Sequence, residues 1–176
     1  MKAKASSKSA WSKRIGNLVF FLLLAVVLWQ RVPAWWSHFN LQGKPAPAFE
    51  LTREDGVRSP RPWPADRPVA LVFWATWCGP CQLELSRLRD SAKNAEIPAD
   101  RIILISMGEE PALVARVTQE RRYPFPSFID VDGNAAAALQ VAATPTVVLL
   151  DAKQEFVWVG TGVSPTLIWR LRRHFS

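Results

Sequence analysis

Two cysteines, and no others, occur in the 176 residues of the chain, both within Trp77-Cys78-Gly79-Pro80-Cys81. Val69 to Ala75 precedes them, an apolar run of strand length and character. Gln82 to Ala95 follows them, with Leu83, Leu85, Leu88 and Ala92 at roughly helical spacing. The pair is therefore predicted at a strand-to-helix junction, with Cys78 at or near the helix N-terminus. Unpaired backbone N–H groups and the positive end of the helix dipole stabilise a thiolate there. Pro80 fits the first helical turn, where its missing N–H costs nothing, and Gly79 leaves the approach to the sulfurs uncrowded. Only the first sulfur sits at the helix end, so Cys78 is expected exposed and reactive, and Cys81 buried.

This spacing admits few other chemistries. A structural zinc site needs four ligands, and no second cysteine pair exists. His38 and His174 lie near the two ends of the chain. Covalent haem attachment needs His directly after the second Cys, where Gln82 stands. Copper(I) can bind two thiolates, so a metal carrier remains an alternative. A purely structural disulfide gains little from closing so short a loop. A redox-active dithiol, needing no cofactor, is the reading that fits the strand–helix context.

The net charge of +7 is unevenly spread. Lys2, Lys4, Lys8, Lys13 and Arg14 lie in residues 1–14 without an acid, and Arg170, Arg172 and Arg173 lie near the other end. Between residues 39 and 169 there are 13 basic and 15 acidic residues, so no basic face for nucleic acid is indicated. Residues 1–14 read as a basic cytoplasmic tail. Residues 15–32 hold an unbroken apolar run from Leu18 to Trp29 and are predicted to form a transmembrane anchor: a helix of that length rises about 27 Å, just enough for a hydrocarbon core of about 30 Å. Trp29, Trp35 and Trp36 would lie at the far interface. A cleaved signal peptide is the alternative. Val32-Pro33-Ala34 resembles a cleavage site, but it contains Pro and is followed by two bulky Trp residues. Either way the basic tail places the rest of the chain outside the cytoplasm, where disulfides form and must be managed.

Residues 33–47, with Pro33, Gly43, Pro45 and Pro47, read as a linker, and 48–176 as one folded domain. Phe49 to Thr52 is predicted as a first strand, 53–68 as an Arg- and Pro-rich connection with a turn at Asp55-Gly56, and Val69 to Ala75 as the central strand. Ile97-Pro98 is expected to end the cysteine helix. Arg101 to Ser106 reads as a buried strand, Pro111 to Arg122 as a helix, and 134–140 as a short Ala-rich helix. Thr146 to Leu150 and Glu155 to Val159 read as paired strands. A last helix is predicted to run from a Ser164 N-cap, with Pro165 at its first position, to about Arg173. The order β-β-α-β-α-α-β-β-α predicts an α/β fold, a mixed central sheet with helices on both faces.

With Thr144-Pro145-Thr146 following the dithiol motif at a distance, the chain resembles the thioredoxin family. The resemblance makes Pro145 the cis-proline that faces the dithiol, with Thr144 before it. Pro-preceded bonds are the ones that go cis at low cost, and Pro is tolerated at a strand start. Phe73-Trp74-Ala75-Thr76-Trp77-Cys78, the N-terminal anchor and Asp130-Val131-Asp132-Gly133 are similar to the membrane-anchored, extracytoplasmic TlpA-type proteins, many of which carry a Glu at the position of Glu84. Among these the chain most resembles the tethered member of the bacterial suppressor-of-copper-sensitivity group. Thioredoxin's buried acid before the dithiol is replaced here by Val72, and the Pro that many TlpA-type proteins have after it is replaced by Ser86.

The resemblance implies an extracytoplasmic thiol:disulfide oxidoreductase of the bacterial inner membrane with its catalytic domain in the periplasm. It would reduce protein disulfides through Cys78 and Cys81 and draw electrons from a DsbD-type membrane donor. Trp77, Gly79, Pro80, Thr144 and Pro145 would form the substrate-binding surface, Thr144 by pairing its backbone with the substrate peptide. Trp77 would shield the dithiol or pack in the core. Glu84 would either handle the Cys81 proton or be a solvated helix residue beside Arg87 or Arg89. A disulfide oxidase or isomerase is the rival of the same chemistry. The Gly79-Pro80 dipeptide, which is thioredoxin's own, points to a reductase.

Overall fold

The computed structural model describes residues 17–22, 25–26 and 41–176. The chain divides into two units, 1–40 and 41–176, and each is taken by itself. In the first, 17–22 and 25–26 are helical and exposed, with Leu18, Phe20 and Phe21 open to solvent. The tail, most of the anchor at 15–32 and the first part of the linker at 33–47 lie outside the described residues. No helix among those described is long and apolar enough to cross a membrane.

In the second unit seven strands form one mixed sheet in the order β2-β1-β5-β4-β3-β6-β7. They are β1 (Glu50–Arg53), β2 (Arg58–Pro60), β3 (Val69–Trp74), β4 (Ile102–Met107), β5 (Ser127–Asp130), β6 (Thr146–Leu150) and β7 (Phe156–Thr161). The helices are α1 (Gly79–Lys93), α2 (Pro111–Glu120), α3 (Asn134–Ala138) and α4 (Leu167–Phe175), with a 3₁₀ turn at Ala99–Arg101. β3, β4 and β5 run parallel, whereas β6 is antiparallel to β3 and β1 to β5.

The central strand is buried along its whole length. Successive side chains of a strand point to opposite faces. Ala70, Val72 and Trp74 thus enter one core layer with Leu85 and Leu88 of α1, Val114 of α2 and Leu167 and Leu171 of α4. Val69, Leu71 and Phe73 enter the other, with Ala135 and Ala136 of α3 and with Leu41, Phe49 and Trp63 from the N-terminal part of the unit. A strand covered on both faces has no polar alternation, which is why 69–75 reads as a continuous apolar run.

Several predicted boundaries move. β2 and β5 are strands that the predicted order lacks. β2 is an edge strand of Arg, Ser and Pro, the composition by which edges resist further pairing. β5 has four residues and follows two prolines closely, too short for a periodic signal. α1 ends at Lys93, not at Ile97-Pro98, because Asn94 caps it and Ala95 takes φ 56°. The N-cap of α4 is Thr166 rather than Ser164, because Ser164 is engaged elsewhere.

Gln154 anchors the N-terminal segment to the sheet. Its Oε1 accepts from Trp63 Nε1 at 2.8 Å, and its Nε2 lies 3.3 and 3.4 Å from the Ala65 and Arg67 carbonyls. The side chain is buried at 4% exposure, so Gln154→Met leaves the Trp63 N–H without an acceptor. We expect a loss of about 1–3 kcal/mol, read as a lower urea midpoint with an unchanged slope.

Candidate active site

β3 delivers the chain to the site, and α1 begins there. Cys78 is the N-cap of α1, with extended backbone at φ −82° and ψ 101°, followed by Gly79 and Pro80 in the first turn. Its N–H donates to Ala75 O at 3.1 Å, and its carbonyl accepts from Gln82 N at 3.1 Å. The Cys81 N–H points at Cys78 Sγ, 3.2 Å away. Cys78 and Cys81 are joined in a disulfide, with their Cα atoms 5.2 Å apart. Burial corrects the expected exposure of the first cysteine: Cys78 is only 5% exposed, and Cys81 not at all. The turn folds Cys78 back beneath its neighbours, while Gly79 and Pro80 remain exposed. Trp77 is 78% exposed and has no place in the core.

The register of the sheet brings the second half of the site alongside. Phe73 pairs with Thr146, so Pro145 lies next to the end of β3, where the dithiol turn starts. The Thr144–Pro145 peptide bond is cis. Pro145 is buried, and its carbonyl accepts from Gly162 N at 2.7 Å. Thr146 Oγ1 lies 2.7 Å from Ala143 O and 2.9 Å from Thr161 Oγ1.

Glu84, one turn beyond Cys81, is 1% exposed. The solvated reading of this residue is therefore wrong. Its carboxylate pairs with Arg87 Nη1 at 2.7 Å and accepts from Ser164 N at 3.4 Å. Burial pushes its pKa above the usual carboxylate range, against the opposing pull of the Ser164 N–H and the Arg87 guanidinium. Arg89, the other candidate neighbour, bonds Asp90 and the Arg121 carbonyl instead.

Sequence reasoning missed Glu109. Its carboxylate accepts from Thr76 N at 2.9 Å, from Thr76 Oγ1, and from Ser106 Oγ. Gln82 Nε2 donates to Thr76 O at 2.9 Å. The segment just before Trp77 is thus held by one side chain from the loop after β4 and one from α1. The available signal was topological: the loops that leave the carboxyl ends of neighbouring parallel strands meet at one edge of the sheet. Among the described residues no group of three or more His, Cys, Asp or Glu is placed to hold a metal ion. His174 sits 3.0 Å from Leu150 O, at the opposite end of β6 from Pro145.

Residues 42–159 match the profile of the AhpC/TSA family. The chain belongs to that family. It is 29% identical over 121 residues to the thiol-disulfide oxidoreductase ResA of Bacillus subtilis, covering 69% of this chain and 68% of the relative. It is 31% identical over 160 residues to the thiol:disulfide interchange protein DsbE of Pseudomonas fluorescens, covering 87% and 86%. Among solved structures, StoA of Bacillus subtilis superposes with a TM-score of 0.60 at 19% identity, over 74% of this chain and 98% of that one. The thioredoxin domain of a thiol-disulfide oxidoreductase of Bacteroides vulgatus gives 0.64 at 16% identity, over 77% and 98%. These likenesses show a thioredoxin-like α/β fold with a mixed sheet.

The position of the two sulfurs predicts their order of reaction. In the reduced protein the α1 N-terminus and the Cys81 N–H both favour a thiolate on Cys78. Limiting iodoacetamide near neutral pH should modify Cys78 before Cys81, as read by peptide mass spectrometry. Modification of Cys81 first would reverse their roles.

Proposed function

We propose that the protein is an extracytoplasmic thiol:disulfide oxidoreductase that reduces protein disulfides by dithiol exchange. The observation that carries this reading is the Cys78–Cys81 disulfide at the N-terminus of α1, beside the cis Thr144–Pro145 peptide. The similarity to ResA and DsbE, whose names state thiol-disulfide chemistry, supports it.

The Cys78 thiolate attacks one sulfur of a substrate disulfide. A Cys78–substrate disulfide forms, and the other substrate sulfur leaves as a thiolate that takes a proton from solvent. Cys81 then loses its proton and attacks Cys78 Sγ. The intramolecular disulfide forms, and the second substrate sulfur departs as a thiolate that takes a proton from solvent. Two electrons have passed from the protein dithiol to the substrate. The substrate peptide docks on the exposed Trp77, Gly79 and Pro80 and pairs its backbone at Thr144, against Pro145. Glu84 accepts the proton of Cys81. It shares the α1 face with that residue at a spacing of three, and its burial holds its pKa nearer the working pH than that of an exposed carboxylate.

A reductase must be reduced again after each turnover, and a DsbD-type membrane donor fits this need. The basic residues 1–14 and the apolar residues 15–32 support anchorage in the bacterial inner membrane, with the domain in the periplasm. On that topology, a reporter fused after Ser176 is active only when exported, and the protein stays in the membrane pellet after carbonate extraction. A soluble product starting near Trp35 would identify a cleaved signal instead.

The function is tested by three measurements. Insulin reduction should depend on both cysteines. Cys81→Ala should trap mixed disulfides with its substrates. The reduction potential should lie nearer the thioredoxin value of about −270 mV than the DsbA value of about −120 mV; a value at the DsbA end would make it an oxidase. Glu84 is a base only when ionised, so the resolving rate should climb with pH through its raised pKa. Glu84→Gln should abolish that climb while leaving the fold intact.

A further inference from the structure

The loop after β7, residues 162–166, touches both halves of the site. At one end Gly162 N donates to Pro145 O at 2.7 Å. Two residues on, Ser164 N donates to Glu84 at 3.4 Å. Arg87 binds the same place from α1. Its Nη1 donates to Glu84 Oε2 at 2.7 Å and to Ser164 O at 3.1 Å, and its Nη2 lies 3.3 Å from Pro165 O. One guanidinium therefore grips a carboxylate on its own helix and two successive carbonyls of the loop.

We propose that Arg87 is a positioning residue: it locks the 162–166 loop onto the dithiol helix, keeps Glu84 in the form that can take a proton from Cys81, and through Gly162 holds the Pro145 peptide beside the dithiol. The proposal rests on the reading of Glu84 as the proton acceptor. The planar fork of Arg supplies the several directed donors this grip uses, which a Lys ammonium on its flexible stem does not reproduce. Nor is this an ordinary surface ion pair. Its acidic member is 1% exposed although Arg87 itself is 34% exposed, and stripping the partner from a buried carboxylate leaves a charge that burial penalises.

Two groups counter the effect of burial on Glu84: the Ser164 amide from the loop and the Arg87 guanidinium from its own helix. Both lower its proton affinity. The remaining titratable neighbour on that helix face is Cys81 itself, one turn earlier. Removing Arg87 must therefore raise the proton affinity of Glu84 and leave less of it ionised at a given pH. The rising limb of the resolving rate then moves to higher pH. Below that limb the rate falls by about tenfold for each unit of displacement.

The test compares wild type, Glu84→Gln, Arg87→Gln, Arg87→Lys and the double variant Glu84→Gln/Arg87→Gln. It measures the pH dependence of the resolving step by stopped flow and KM for reduced-protein turnover on insulin, with circular dichroism checking that each variant folds. We expect the limb of Arg87→Gln to move to higher pH by enough to slow the step at least about threefold below it, with KM raised because the Pro145 loop is loosened. Arg87→Lys, which keeps the charge without the fork, should restore most of the limb but not KM. The double variant should have no limb. If Glu84→Gln retains the wild-type limb, the proton-acceptor reading fails and this proposal falls with it. If Glu84→Gln abolishes the limb while Arg87→Gln, or Arg87→Lys should the former not fold, matches wild type in limb and KM, the proposal about Arg87 alone is overturned.

Discussion

The end of β3 is the constraint on which the site depends. Because the strand is buried on both faces and paired on both edges, with β4 on one side and β6 on the other, its carboxyl end cannot drift. Three segments of the site leave from this fixed edge. The dithiol turn continues β3 itself, the Glu109 loop follows β4, and Pro145 opens β6. The position of the sulfurs relative to the proline is thus inherited from strand register. A slip of one residue would swap the two core layers, forcing Trp74 into the layer packed around Phe73 and Phe73 into that around Trp74, which close packing opposes.

Electrostatics is then arranged around the dithiol in two ranges. Close to Cys78 the favourable partners are backbone groups: the free N–H end of α1 and the Cys81 amide at 3.2 Å. These are fixed dipoles that do not titrate, so the bias they exert on a reduced Cys78 does not change with pH. One turn beyond Cys81 on the same helix face lies Glu84, whose own ionisation is contested between burial and Arg87. On the proposed mechanism, the nucleophile is tuned by geometry and the resolving step by a titrating group. That division suits a cycle in which the first attack must always be available and the second must wait for a proton to leave.

Much of this was legible in the sequence, because local signals and tertiary placement agree there. Val69 to Trp74 could only be an interior strand. Cys78, Gly79 and Pro80 mark a helix start, and Thr144-Pro145-Thr146 is recognisable from the dithiol motif as its partner. Elsewhere the sequence misleads for identifiable reasons. Ser164-Pro165 looks like a helix start, but the Ser164 amide is taken by Glu84, and the helix begins later at Leu167. The burial of Cys78 depends on how the turn is packed, which no spacing reports. Trp77 would pass for a core residue by type alone, and only its place in a turn between strand and helix turns it outward. Glu84 looks solvated in a helix rich in Arg, since nothing local reveals that the 162–166 loop closes over it. Glu109 was invisible because its partners, Thr76 and Ser106, are reached only through the pairing of β3 with β4.

Val72 stands where the thioredoxin resemblance leads one to expect a buried acid, and a buried carboxylate, Glu84, sits on α1 instead. Val72 is 1% exposed between Leu104 and Val147, in a layer whose neighbours are aliphatic and aromatic. A carboxylate there would have no side-chain donor on either paired neighbour and would face the full cost of desolvation. On α1 a carboxylate can be placed at the border of the core. There one face of the carboxylate meets apolar packing, which raises its proton affinity, and the other meets an arginine and a loop amide, which keep it ionisable. The helix position therefore permits a graded compromise that the strand position does not. It also ties Glu84 to the loop that bonds Pro145, so that on the proposed roles of these residues proton handling and substrate placement share one set of contacts.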